Sequence, residues 1–191
     1  MIIIEVAGGL GNQLQQYALY RKFLSLGKDA RLDVSWFEAE NQGKMLARRE
    51  LELQLFDRLP YCVCTPEEKA ALVGGAGLAG KLKRKLFPSV IHCFHESQIY
   101  HPELLGYEHM YIKGYFACEK YYADILDDLR REIHFPESRN SLNNEMCRDI
   151  QSCDSVSLHI RRGDYMDPDN QALFGNICTD AYYEQAISMI K

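Results

Sequence analysis

The chain opens on a continuous apolar run, Ile2-Ile3-Ile4 to Val6, interrupted only by Glu5. Continuous rather than alternating apolar character suits a strand covered on both faces, as in a parallel sheet. Gly8-Gly9-Leu10-Gly11-Asn12-Gln13 follows at once. From about Asn12 to Leu26, apolar side chains (Leu14, Tyr17, Ala18, Leu19, Phe23, Leu24) recur around most of a helical circumference. The pattern predicts a buried helix, with Gly27 where a C′ glycine would end it. Ala30 to Val34 reads as the second strand. Strand, glycine turn, helix and strand make the opening βαβ unit of a doubly wound α/β sheet.

Beyond it the pattern is less regular. Glu50 to Phe56 alternates, a helix is expected after Pro66, and Val90 to Phe94 and Tyr111 to Phe116 look like further strands. Between Glu119 and Ile133, the residues Tyr122, Ile125, Leu126, Leu129 and Ile133 keep helical spacing with charges on the other face. Glu137 to Asn144 is polar and reads as a linker. A helix from about Leu142 to Ile150, a strand from Ser155 to Ile160 and a last helix from Asp180 to Lys191 complete the prediction. There is no internal repeat and no low-complexity tract.

With 191 residues, 47% hydrophobic and 26% charged, the chain has room for one sizeable core, or for one domain and part of a second. A net charge of −5 gives no reason to expect a nucleic-acid partner. Apolar runs stay far short of the ~20 residues that span a bilayer. The N-terminus lacks the basic region and cleavage site of a signal peptide and reads as a strand. The seven cysteines are odd in number and form no C-x-x-C pair. Reduced thiols in a cytoplasmic protein are therefore expected. One charge feature stands out. Lys81, Lys83, Arg84 and Lys85 crowd a stretch in which Leu78, Leu82 and Leu86 recur every fourth residue. This fits a solvated basic helix or a peripheral contact with the inner face of a membrane.

The candidate chemistry sits at Val156-Ser157-Leu158-His159-Ile160-Arg161-Arg162-Gly163-Asp164-Tyr165. Open α/β sheets bind ligands at the carboxyl ends of their strands. Two arginines there offer fixed forks of donors suited to a diphosphate. Gly163 lets the backbone turn closely, and Asp164 can orient one guanidinium. The residues alone fit equally an exposed turn closed by a surface ion pair, and His159 alone fits a core histidine.

Taken together, these segments resemble the bacterial α-1,2-fucosyltransferases of glycosyltransferase family 11. The resemblance rests on Gly8 to Gln13 with Gln16-Tyr17-Ala18; on Leu32-Asp33-Val34-Ser35-Trp36-Phe37; on Lys113-Gly114-Tyr115-Phe116 with Glu119 to Tyr122; on Val156 to Tyr165; and on Thr179 to Ile187. It implies a GT-B-type enzyme of two facing Rossmann-like domains. Residues 1–153 would form the acceptor-side domain and 154–191 an incomplete GDP-fucose-binding domain, the second domain being truncated. It implies transfer of L-fucose from GDP-β-L-fucose to the 2-hydroxyl of a galactoside with inversion. Arg161 would hold the pyrophosphate, with Arg162 and His159 in support, and Asp164 would orient the arginines. Asn12 and Gln13, with Gly9 and Gly11, would face the donor from the first domain. The resemblance implies no metal cofactor, which agrees with two guanidinium forks serving as the charge sink for the departing diphosphate. The base that takes the acceptor proton is not identified; Asp33 and Glu119 are weak candidates. Gln15 departs from the family pattern, standing where an aromatic is usual.

Two other readings stay open at this stage. A dinucleotide-dependent oxidoreductase fits the first strand, the glycine turn and Asp33, but Leu14 stands where the fingerprint needs its third glycine. A non-catalytic fragment or binding module that homo-oligomerises fits the short second part.

Overall fold

The computed structural model describes residues 1–38, 48–75, 92–97, 99–138, 140–160, 162–166, 168–175 and 177–190. The basic cluster of Lys81, Lys83, Arg84 and Lys85 lies outside them, and so does Arg161. Two compact units divide the chain, Met1–Glu137 and Ser138–Lys191.

The first unit is α/β. Among the described residues its strands are β1 (Ile2–Glu5), β2 (Ala30–Asp33), β3 (Cys93–His95) and β4 (Met110–Lys113), all parallel, in the order β2-β1-β4-β3. The register sets Ile2 against Ala30 on one side and Met110 on the other. Side-chain alternation then sorts the apolar run of β1 onto two faces. Ile2, Ile4 and Val6 join Leu32 and Ile112 in the main core, under Tyr17, Leu19, Tyr20 and Phe23 of α1 (Leu10–Ser25). Ile3 and Tyr111 face the other way, under Leu72 of α2 (Pro66–Val73). Burial on both faces is why β1 carries no polar alternation.

The helix ends follow local chemistry. After α1, Gly27 takes φ +74°; its N–H donates to Leu24 O at 2.9 Å, and Lys28 N–H donates to Phe23 O at 3.1 Å. This is a Schellman closure, and it stops the helix at the glycine that the sequence pointed to. At the start of α2, Thr65 and Glu68 form a reciprocal capping box with Pro66 in the first turn.

The alternating stretch Glu50 to Phe56 contains a 3-10 turn, Glu52–Leu55. One sequence expectation needs correction within this unit. The helix expected from Glu119 to Ile133 is instead two 3-10 turns, Glu119–Tyr121 and Ala123–Ile125, before α3 (Leu126–Glu132). Tyr121 and Tyr122 are buried there, Tyr121 packing edge-on against Phe116 at 5.8 Å. Core packing of the rings overrides the local helical spacing.

The second unit holds α4 (Ser141–Gln151), a 3-10 turn Gly163–Met166, α5 (Pro168–Phe174) and α6 (Asp180–Ile190). The linker expected over Glu137 to Asn144 gives way to α4 at Ser141, because Asn140 caps it by accepting from Leu142 N–H at 2.9 Å. The strand expected from Ser155 to Ile160 is not formed. That segment pairs with no strand among the described residues, and Val156, Leu158 and Ile160 are half exposed or more. Apolar alternation makes a strand only where a neighbour supplies the ladder. Among the described residues no helix is long and apolar enough to cross a membrane.

Candidate functional site

The sheet changes direction at β1: its chain continues to β2 on one side, while its other neighbour, β4, arrives much later. Such a point opens a crevice outside the carboxyl ends of the strands. Here the crevice measures about 320 Å³ and is lined by Glu5, Ala7, Gln16, Trp36, His95, Glu96, Lys113, Gly114 and Tyr115. Every one of these lies at or just beyond a strand end, or on α1 and the turn after β2.

Two glutamines of α1 shape it. Gln16 is buried; its side-chain oxygen accepts from Ala7 N–H at 2.9 Å and its amide donates to Gly114 O at 2.8 Å. It therefore ties the loop after β1 to the loop after β4. Gln13 is fully buried as well. Its amide donates to Gly8 O and Glu50 O, both at 2.9 Å, and its oxygen accepts from Glu52 N–H at 2.8 Å. Both amide protons of Gln13 are thus committed to backbone. Two of these partners, Glu50 and Glu52, lie some forty residues downstream and leave no local trace in the sequence.

The glycines differ. Gly8 has φ +82°, and a Cβ there would stand 2.6 Å from Asn12 Nδ2 and 3.3 Å from the Tyr115 ring. Asn12 and Tyr115 therefore pack closely on Gly8, and of the three only Tyr115 lines the crevice. Gly9 is the N-cap of α1 in extended conformation, and Gly11 has open space around it. The α1 N-terminus carries no side-chain cap and no acid in its first turn.

Glu96 fixes the far wall. One carboxylate oxygen accepts from Tyr115 N–H at 2.7 Å and Phe116 N–H at 2.9 Å. These bonds hold a bend in which Gly114 has φ +151° and Phe116 φ +54°. A Cβ on Gly114 would meet Glu96 Cβ at 2.3 Å, so only glycine fits.

Behind the crevice lies a chain of charged and polar groups. Lys113 Nζ donates to Glu5 at 2.8 Å, Tyr111 OH contacts the same Glu5 oxygen at 3.0 Å, and Tyr111 OH also bonds Asp33. Lys69 pairs with Asp33 at 2.7 Å and donates to Ser35 Oγ at 2.8 Å. Both ammonium groups sit over the Tyr111 ring, at 5.6 and 5.5 Å from its centre. Burial alone pushes the Asp33 carboxyl up, but the bonds from Lys69, Tyr111 and Ser35 outweigh it and hold the carboxyl below its ordinary range. Burial, with Asp33 and Glu5 nearby, pushes the Tyr111 phenol far up, so it stays neutral. Asp33 is only 3% exposed and saturated by these partners, which removes it as an acceptor base and as a ribose-binding acid. Glu119 is exposed and opens a 3-10 turn.

A larger cavity, about 630 Å³, lies beside the start of α2, with Val34, Val63, Pro66, Ala70 and Val73 among its walls. Lys69 reaches into it, but its ammonium is already held by Asp33 and Ser35. Cys64 also lines it, and burial pushes that thiol up to about 11. All seven cysteines are free thiols. Among the described residues, no cluster of three or more His, Cys, Asp or Glu is arranged to hold a metal ion.

In the second unit, His159 and Arg162 are exposed. The turn after them is closed by Tyr165 N–H donating to Arg162 O at 2.8 Å, with Gly163 at φ +45°. Arg161 and the side chain of Asp164 lie outside the described residues. Residues 154–160 form no strand, so Arg162 does not follow a strand end as expected.

Comparison with known proteins sharpens the reading. An α-1,2-colitosyltransferase from Escherichia coli is 26% identical over 199 residues, covering 100% of this chain and 64% of that protein. The O-antigen biosynthesis glycosyltransferase WbnK, also from Escherichia coli, is 28% identical over 212 residues, covering 97% of this chain and 67% of that protein. The chain thus spans about two thirds of the length of these relatives. No solved structure matches it. The family model for glycosyl transferase family 11 matches residues 100–191, which include β4, Lys113 to Phe116, and the whole arginine segment. The two relatives extend the likeness over the N-terminal βαβ unit that the family match does not reach. The C-terminal part of the chain, residues 100–191, is thus similar to glycosyl transferase family 11, and two glycosyltransferases share low identity with nearly all of it.

Proposed function

We propose that the chain is the acceptor-side domain and the start of the donor domain of a GT-B-type inverting α-1,2-fucosyltransferase. The observation that carries this is the family 11 match across residues 100–191, because it contains His159-Ile160-Arg161-Arg162-Gly163-Asp164. In this reading Arg161 and Arg162 bind the diphosphate of GDP-fucose and stabilise it as it leaves, as fixed guanidinium forks do for phosphate oxygens. His159 supports them. The acceptor hydroxyl loses its proton and bonds to the anomeric carbon, while the bond from that carbon to the phosphate oxygen breaks with its electrons leaving on GDP. Asn12, with Gly9 and Gly11 in the same turn, is the first unit's contribution to donor binding in this reading.

The α-1,2 linkage in the name of the colitosyltransferase relative supports the linkage proposed here, and the sugar in that name supplies a second reading in which the transferred sugar is colitose. The test is direct. The protein is incubated with lactose and either GDP-fucose or GDP-colitose, and both released GDP and the disaccharide-linked product are measured. Product from GDP-fucose supports the first reading, and product from GDP-colitose alone supports the second. Binding of NADH with no binding of GDP would sink both.

A further inference from the structure

We infer that the crevice at the ends of β1, β3 and β4 is a sugar subsite that takes a neutral hexopyranoside acceptor, with Trp36 and Tyr115 as aromatic walls and Glu96 as the carboxylate that grips a hydroxyl. The inference rests on the glycosyl-transfer reading and names where, on the first unit, the acceptor sits.

A pyranose ring is amphiphilic. Its faces carry patches of C–H and its rim carries hydroxyls. A site for it needs a flat apolar wall and a few fixed acceptors. The crevice has both. Trp36 is half-buried and lines it, and the Tyr115 side chain is 51% exposed at its mouth. Glu96 is held by two backbone N–H groups that both fall on Oε2, at 2.7 and 2.9 Å. Oε1 is the oxygen that remains to accept from a hydroxyl. The floor is set in advance, because Gln16 fixes Gly114 O at 2.8 Å and Gly114 has no side chain to fill the space. A site already ordered loses little entropy when it binds.

Charge selects the ligand class. Glu5 and Glu96 both line the crevice, and Lys113, the ammonium among its walls, is paired with Glu5 at 2.8 Å. With Lys113 and Glu5 paired, Glu96 leaves the lining one carboxylate in excess, which disfavours a phosphate and leaves an uncharged polyol as the matching occupant.

The chain has one tryptophan, and it is Trp36. Emission excited at the red edge, where tyrosine does not absorb, therefore reports on this crevice alone. The experiment titrates the protein with lactose and with GDP, followed by Trp36 emission and by calorimetry, for wild type, Glu96→Gln and Tyr115→Ala. Glu96→Gln keeps an oxygen to accept from Tyr115 and Phe116, so a melting curve close to wild type is expected. The inference requires a saturable change in Trp36 emission with lactose. It also requires affinity about tenfold weaker in Glu96→Gln, the size of a hydrogen bond to a charged group, and weaker again in Tyr115→Ala. Lactose binding by calorimetry with silent Trp36 and unaffected variants would overturn the inference while leaving glycosyl transfer intact. GDP competing with lactose for the Trp36 signal would overturn the charge argument and the inference with it. No saturable binding of lactose at all would also overturn it, whereas the transfer reading stands or falls on product formation alone.

Discussion

Asp33 shows how a residue can look catalytic in a sequence and be structural in the fold. At the end of the second strand it matches the acid of a dinucleotide site, yet Lys69, Tyr111 and Ser35 surround it. Replacing Asp33 by Asn should destabilise the protein by about 2–3 kcal/mol in urea unfolding, because it leaves Lys69 without its charge partner. The pH dependence follows in sign. The folded Asp33 carboxyl lies below its unfolded value, so its contribution is present above about pH 4 and fades as pH falls through the folded value. The Tyr111 phenol lies above its unfolded value, so its contribution is present below about pH 10 and fades at more alkaline pH. Thermal melts across pH would show both limbs, and Tyr111→Phe should flatten the alkaline one. The glycines of the Gly8 to Gln13 turn make a second prediction. Gly8→Ala should cost about 1–2 kcal/mol or more, from its left-handed backbone and the close approach of Asn12. Gly11→Ala, inside α1 with open space around it, should instead stabilise by about 0.5–1 kcal/mol. If Gly11→Ala raises the melting point yet lowers transfer, its role lies with the ligand.

Among the elements, those with a local cause were legible in advance. β1, α1, β2 and the start of α2 each follow from an apolar run, a helical spacing, a glycine or a proline in place. The Thr65 and Glu68 box at that start is a local cause the proline alone did not disclose: Thr65→Ala should cost about 1 kcal/mol, read by chemical denaturation, because α2 then loses a bond to the Glu68 N–H. The elements that could not be read have distant causes. The stretch from Glu119 to Ile133 breaks into 3-10 turns where Tyr121 and Tyr122 enter a core that the rest of the chain builds. Ser155 to Ile160 has the right alternation and no neighbouring strand to make use of it. The crevice was half legible. Gly114 and Tyr115 stood out through the family resemblance, but Glu96 did not. Its importance comes from two N–H groups some twenty residues away, and neither its neighbours nor its spacing announce it.

At the scale of the molecule, the two units bury their apolar residues very differently. The first has a closed core around Ile2, Ile4, Tyr17, Leu19 and Phe23. The second leaves Leu142, Met146 and Ile150 on one stripe of α4 exposed, at 70%, 64% and 49%. Apolar stripes of this kind favour association. Light scattering should show self-association rising with concentration, and Met146→Glu should reduce it without changing the melt of the first unit. The strand order β2-β1-β4-β3 carries a different consequence, for synthesis. Lys113 must find Glu5 across 108 residues, and β4 must slot between β1 and β3. While a ribosome is still making the middle of the chain, β1 and β2 can pair but the far side of β1 has no partner. An unpaired parallel edge is a template for wrong pairing, and closing so long a loop is slow. Nascent chains arrested before β4 should therefore bind chaperones and resist folding, and pulse-labelled hydrogen exchange should show the β1–β4 ladder among the last amides protected.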